Sequence, residues 1–196
     1  MSRDTSRREE LAEAATDYAL EHGLIGLSLR PLAAAIGTSD RMLLYHFSDK
    51  DDVVATVLRT SNDRSVRELG RVRPSRDLRR AVLDLWAATT EGQLERCQRL
   101  YVEAAALGLL GREPYATVVR EANARWVRAV ADHLVDAGAD RRRVGRAATL
   151  LDATFMGLQL DLPLMAGPAE HRRAVRDLAD TVVAIAGQRD AGQGSA

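Results

Sequence analysis

With 196 residues, 46% of them hydrophobic and 29% charged, the chain can bury a sizeable core. Its opening MSRDTSRREELAEAA lacks an apolar leader and no stretch nears about 18 consecutive apolar residues, so the expectation is a cytoplasmic protein without a membrane span. Equal numbers of basic and acidic residues, 28 of each, leave net charge silent about polyanionic partners, and the single cysteine, Cys97, excludes an internal disulfide.

Ala, Leu, Arg, Glu and Asp dominate and aromatics are 4%, which predicts an all-α fold of about nine helices. Leu11, Ala14, Ala15, Tyr18 and Ala19 form one apolar stripe at helical spacing, closed by Gly23. Ser28 is positioned to cap a short second helix with Leu29, Leu32, Ala33 and Ile36 inward, ended by Gly37. Ser39 is positioned to cap a third, 40–46. Ser48 or Asp49 caps a fourth, 50–69, with Asp51 and Asp52 in its first turn, where negative charge is favoured.

Pro74 and Ser75 break the chain before a fifth helix carrying Leu78, Val82, Leu85 and Trp86. Gly92 precedes a sixth with Leu94, Cys97, Tyr101 and Ala104; Cys97 reads as a small buried hydrophobe. A seventh spans 115–137. An eighth, 140–160, is apolar on more than one side (Ala147, Leu150, Leu151, Phe155, Met156, Leu158), as in a helix buried in a large core or against a partner. Its RRR opening, Arg141–Arg143, reads as a solvated or salt-bridged end. Pro163, Gly167 and Pro168 mark a loop, a ninth helix covers 169–186, and the small polar tail QRDAGQGSA is expected to lack fixed structure.

The second and third helices are short and joined by a tight turn at Gly37, the spacing of a helix-turn-helix over 28–47 with its third helix presented outward. Ile36, Leu43, Leu44 and Phe47 would hold this unit to Leu11, Tyr18 and Leu29. Thr38, Ser39, Arg41, Met42, Tyr45 and His46 would lie on or near the outer face. Free N–H groups at the starts capped by Ser28 and Ser39 suit phosphate oxygens.

Over 8–57 the sequence resembles the DNA-binding domain of the TetR family of helix-turn-helix repressors. The resemblance rests on the opening amphipathic helix, Gly23 before LSLRPLAAAIG, the TS that follows, the apolar-centred third helix, Phe47, and Lys50 followed by an acid. It implies that Ser28 and Arg30 meet the DNA backbone, and that Thr38, Ser39, Arg41 and Met42 read the major groove. It places Tyr45 and His46 at the end of the recognition helix and gives Lys50, the only lysine in the chain, a phosphate contact. Many members carry tyrosine where this chain has Leu44; Tyr45 is the expected replacement for that phosphate contact. The implied division is a head over 1–49, a ligand-binding and dimerisation domain over 50–187, and a tail over 188–196.

Charge pulls the other way. Residues 1–60 hold seven basic and ten acidic side chains, a difference of −3, so non-specific DNA binding is expected to be weak. Arg3, Arg7 and Arg8 are candidates for a mobile basic arm.

Beyond the head, the resemblance implies a small-molecule pocket between long helices, with candidate lining Trp86, Tyr101, Trp126, Asp152, Phe155, Met156 and Gln159. Taken alone, the same residues are ordinary bundle core, and Asp152 and His133 are satisfied core or edge groups. The resemblance also implies a homodimer through the last two helices, with Ala147, Leu150, Leu151, Thr154, Leu158, Val175, Leu178, Val182 and Ile185 as candidate contacts. Two-fold symmetry would set recognition helices roughly 34–36 Å apart on a palindromic operator. The four histidines (His22, His46, His133, His171) lack metal-ligand spacing and no nucleophile, dinucleotide or P-loop motif occurs, so no metal, cofactor or enzymatic activity is expected. The expected partners are operator duplex DNA, a small-molecule effector and a second copy of the chain. The rival readings are a ligand-independent DNA-binding activator and a helical protein–protein adaptor that has lost DNA binding.

Overall fold

The computed structural model describes residues 3–161, 164 and 168–187. Nine α-helices and no strand occur among them. They are α1 (Arg3–His22), α2 (Leu29–Ala35), α3 (Asp40–His46), α4 (Lys50–Leu69), α5 (Leu78–Thr89), α6 (Gly92–Leu109), α7 (Tyr115–Asp136), α8 (Val144–Asp161) and α9 (Pro168–Ala186). Among the described residues no helix is long and apolar enough to cross a membrane. The expected loop residues Pro163 and Gly167 and the tail 188–196 lie outside the described residues.

Two starts differ from expectation. Arg7 and Arg8 belong to α1 from its outset rather than to an arm, because both are tied to acids: Arg7 to Glu10 at 2.8 Å and Arg8 to Asp52 at 3.1 Å. The eighth helix begins at Val144, not 140. Asp140 accepts the Arg142 backbone N–H at 2.8 Å and pairs with Arg143 at 3.5 Å, so the arginine run forms a turn pinned by one carboxylate.

The chain divides into two compact units. One comprises the residues up to Arg67 together with Gly92–Ala124; the other comprises Glu68–Glu91 and the chain from Arg125 onward.

In the first unit, Leu11, Ala15 and Ala19 of α1 form one core with Leu32 of α2, Leu43 of α3, Phe47, Val53, Val54 and Val57 of α4, and Cys97, Leu100 and Ala104 of α6. Each large side chain fully buried there contributes about 1.5–3 kcal/mol of transfer free energy. The turn between α2 and α3 needs Gly37, whose φ of 70° lies in the left-handed region. That conformation lets the Thr38 N–H reach back to the Ala33 carbonyl at 2.9 Å, closing α2. Ser39 then caps α3 as expected, its hydroxyl accepting the Met42 N–H at 3.1 Å. Ser28 does not cap α2: its side chain makes no cap hydrogen bond and is exposed.

In the second unit, Asp140 donates its N–H to the Ala186 carbonyl at 2.7 Å while the other ends of α8 and α9 are joined by a short connection, so the two helices run antiparallel. Arg79 of α5 pairs with Asp180 of α9 at 2.5 Å, and the Gln159 amide of α8 donates to the Thr89 carbonyl at the end of α5 at 3.2 Å. Leu78, Val82 and Leu85 of α5, Ala147 and Leu151 of α8, and Val175, Leu178 and Val182 of α9 are buried.

Candidate functional site

The outer face of the helix-turn-helix is built by what its inner face commits. Leu43 and Phe47 are wholly buried, which turns the intervening part of α3 outward. Tyr45 is 71% exposed, Met42 45% and Leu44 47%. Leu44 was expected inward beside Leu43. The register of a seven-residue helix allows two buried contacts one turn apart, and Leu43 and Phe47 take them.

Ser28, Arg30, Ser39, Arg41 and Lys50 are exposed, while Thr38 and His46 are partly covered. The nine DNA candidates lie along one short stretch of chain: Ser28 and Arg30 at the start of α2, Thr38 to His46 across the turn and α3, and Lys50 opening α4. The rings of Tyr45 and His46 meet edge to face at 5.0 Å, limiting where the phenol swings.

This face is held by a clamp that sequence reading did not find. Arg8 of α1 donates through Nε to the His46 carbonyl at 2.9 Å, the last turn of α3. Its Nη2 reaches both Asp52 carboxylate oxygens at 3.1 Å, and its guanidinium lies 4.7 Å from the centre of the Phe47 ring. Asp52 also accepts the Ser48 N–H at 3.1 Å, while Asp49 caps α4 by accepting the Asp52 N–H at 2.8 Å. One arginine thus joins α1, the end of α3 and the start of α4. Asp52 is more than a first-turn charge.

Several acids of the first unit are engaged by arginines of α1 and α4. Glu13 and Asp17 of α1 both hold Arg64 of α4, Glu10 holds Arg7, and Glu121 meets Arg59 at 3.4 Å. Arg30, Arg41 and Lys50 have no ion pair among the described residues. These three cations are exposed on the helix-turn-helix and at the start of α4, where Asp40, Asp49, Asp51 and Asp52 also lie, while Glu10, Glu13 and Asp17 are engaged along α1.

The candidate pocket residues do not form one group. Tyr101 belongs to the first unit, where it borders a recess of about 350 Å³ with Gly108 and Val119. The others lie in the second unit. There Trp86 and Phe155 pack edge to face at 4.9 Å. The Trp126 indole donates a hydrogen bond to Asp152, whose carboxyl burial nevertheless raises to about 6. Among the described residues, the buried Oε1 of Gln159 and the buried Nε2 atoms of His133 and His171 have no hydrogen-bond partner. His133 is therefore not a fully satisfied core group, and burial lowers its pKa, favouring the neutral ring.

The raised Asp152 carboxyl carries a stability consequence. From about pH 4 to about pH 6 the native state holds a proton that the unfolded chain has released, so stability falls as pH rises through that window and the whole cost is present above it. Asp152→Asn keeps an acceptor for Trp126 and removes the cost. It is expected to raise unfolding stability at pH 7.5 by about 1–3 kcal/mol and to change nothing at pH 4, measured by urea denaturation. An unchanged or lowered midpoint at pH 7.5 would contradict it.

Of the candidate dimer contacts, Ala147, Leu151, Val175, Leu178 and Val182 are buried inside the chain's own second unit and offer no surface to a partner. Leu150, Thr154, Leu158 and Ile185 remain at least partly exposed, and Val183, which sequence reading passed over, is 38% exposed.

Residues 11–57 match the family model of bacterial regulatory proteins of the tetR family. Among solved structures, a transcriptional regulator from Rhodococcus sp. Rha1 is 26% identical with a TM-score of 0.73, over 93% of this chain and 98% of that one. A transcriptional regulator from Saccharomonospora viridis, solved in complex with choline, is 19% identical with a TM-score of 0.66, over 94% of this chain and 100% of that one. The multidrug binding protein EbrR, complexed with proflavin, is 23% identical with a TM-score of 0.66, over 90% and 99%. No curated protein matches. The match spans α1 to the first half of α4, the elements that the Arg8 clamp joins behind the outward α3; over these elements the chain is similar to the bacterial regulatory proteins of the tetR family, and over nearly its whole length it shares the fold of the Rhodococcus transcriptional regulator.

Proposed function

We propose that the chain is a ligand-responsive repressor that binds a palindromic operator as a homodimer and is released by a small molecule. The observation that carries the DNA half is the outward face of α3 and the start of α4, where Arg41, Met42, Tyr45 and Lys50 stand exposed on a clamped head. Arg41 is suited to a base edge in the major groove, and Tyr45 and Lys50 to phosphates on either side. Tyr45, at 71% exposure, then takes the phosphate contact made elsewhere by a tyrosine at the position of Leu44.

The effector half is supported by the polar groups set among aromatics in the second unit and by the choline and proflavin bound by two proteins of the same fold. Ligand capture is expected to reach the heads through α4, which begins at Lys50. A coupling of about 1–3 kcal/mol is enough for regulation.

Dimerisation is assigned to the outer faces of α8 and α9. Leu150 and Val183 are exposed there, and Gly145 and Gly157 open onto empty space that a second helix can approach closely. Leu150→Arg tests this. Leu150 is 39% exposed in the single chain, so the variant folds, but a dimer would bury the guanidinium without a partner. Sedimentation should show a dimer for the parent chain and a monomer for the variant, with operator affinity lowered at least a hundredfold. A variant that stays dimeric and binds normally would overturn the assigned interface.

A further inference from the structure

We infer that the second unit's site takes an elongated organic cation: an amine at Asp152, an apolar or aromatic middle against Phe155, Met156 and Trp86, and a hydrogen-bond donor at Gln159. The inference deepens the proposed ligand response and rests on it. Asp152, Phe155, Met156 and Gln159 follow one another on α8 at i, i+3, i+4 and i+7 and therefore share a face. Seven residues of helix separate the two polar groups by about 10 Å along the axis.

Among the described residues neither end is fully partnered. Asp152 takes a hydrogen bond from the Trp126 indole and has no ion pair there, in surroundings that penalise its charge. A carboxylate accepts several more, and an ammonium supplies both the missing donor and the missing counter-charge. A neutral ligand would leave the carboxylate's charge unbalanced, and an anion would worsen it. The Trp126 ring beside it offers a second favourable surface for a cation. At the other end, the Gln159 amide N–H is committed to the Thr89 carbonyl at 3.2 Å, which fixes its orientation and leaves the buried Oε1 as an acceptor without a donor. Between them, the Trp86 and Phe155 rings, 4.9 Å apart, can only favour an apolar body.

Tyramine, phenethylamine and tyrosol separate these demands. Tyramine has an ammonium, a ring and a hydroxyl. Phenethylamine lacks the phenolic hydroxyl, and tyrosol replaces the ammonium with a neutral hydroxyl. Calorimetric titration of the full-length protein at pH 7.5 should rank tyramine above phenethylamine and both above tyrosol, with at least tenfold between tyramine and tyrosol. Asp152→Asn should erase the preference for tyramine over tyrosol. Gln159→Leu should erase only the preference for tyramine over phenethylamine. Tyrosol binding as tightly as tyramine, no tyramine binding, or an Asp152→Asn variant that keeps the cation preference would each overturn the inference. If a variant misfolds, the ranking by the parent chain alone decides. Operator binding by the ligand-free parent protein is measured alongside, so a failure of this ligand chemistry is distinguishable from a failure of the regulator reading.

Discussion

Replacing Arg41 with alanine is expected to weaken operator binding by roughly a hundredfold and to relax the preference for one base pair in each half-site. A bidentate arginine–guanine contact discriminates by about 1–3 kcal/mol, and a dimer loses it twice. Arg41 stands exposed in the first turn of α3 with no ion pair among the described residues, so its removal leaves no unpaired partner inside the protein and the head stays folded. Lys50→Ala is expected to act differently. Lys50 is exposed at the start of α4, beside the capped turn of Asp49. A lost phosphate contact weakens binding to all sequences alike and lowers the slope of affinity against log salt by about 2 per dimer. Fluorescence anisotropy on one operator and several single-base variants, at three salt concentrations, distinguishes the two patterns. If both variants bound like the parent chain, the assigned reading face would be wrong.

Gly23→Ala is expected to be the most destabilising exchange of a single hydrogen for a methyl in the first unit, costing about 2–4 kcal/mol. Gly23 closes α1 with a φ of 82°, which alone costs an alanine about 1 kcal/mol. Its added Cβ would also stand 2.8 Å from the Glu103 carboxylate. That carboxylate cannot simply swing away, because it accepts the N–H groups of Leu24 at 2.7 Å and Ile25 at 3.0 Å. Relieving the contact breaks charge-assisted hydrogen bonds that hold the α1–α2 turn to α6. Gly26 is the control: its φ is 80°, yet nothing lies within 4 Å of its missing Cβ, so Gly26→Ala should cost only about 1 kcal/mol. In a Glu103→Ala background the Gly23→Ala cost should fall to the Gly26 value. Urea unfolding of the four variants measures the cycle, and equal costs at Gly23 and Gly26 would contradict it.

The residues that announced themselves in the sequence were those whose role is local. Gly37, Ser39 and Asp49 act within four positions of themselves, and their turn and caps are found as their chemistry dictates. The outward side of α3 was legible for the same reason, since the periodicity of seven residues decides it, apart from Leu44. Contacts across long sequence separations left no such mark. Arg8 and Asp52 are 44 positions apart, and Glu103 lies 79 from the Leu24 N–H it accepts. Each reads in sequence as an ordinary surface charge. The eighth helix failed as a guide for another reason. A helix apolar on more than one side does not say which side its own neighbours will occupy. Ala147 and Leu151 are buried within the chain's own second unit, while Leu150 stays exposed.

The central claim is that α3 of a two-fold dimer reads duplex DNA. Its most direct test is selection of bound sequences from a random duplex library by the purified chain, at moderate salt and without added ligand. The expected product is one enriched palindrome whose half-site centres lie about one helical turn, or a whole multiple of it, apart, lost when Arg41→Ala replaces the parent chain. No enrichment, or an enriched site without two-fold symmetry, would contradict the account.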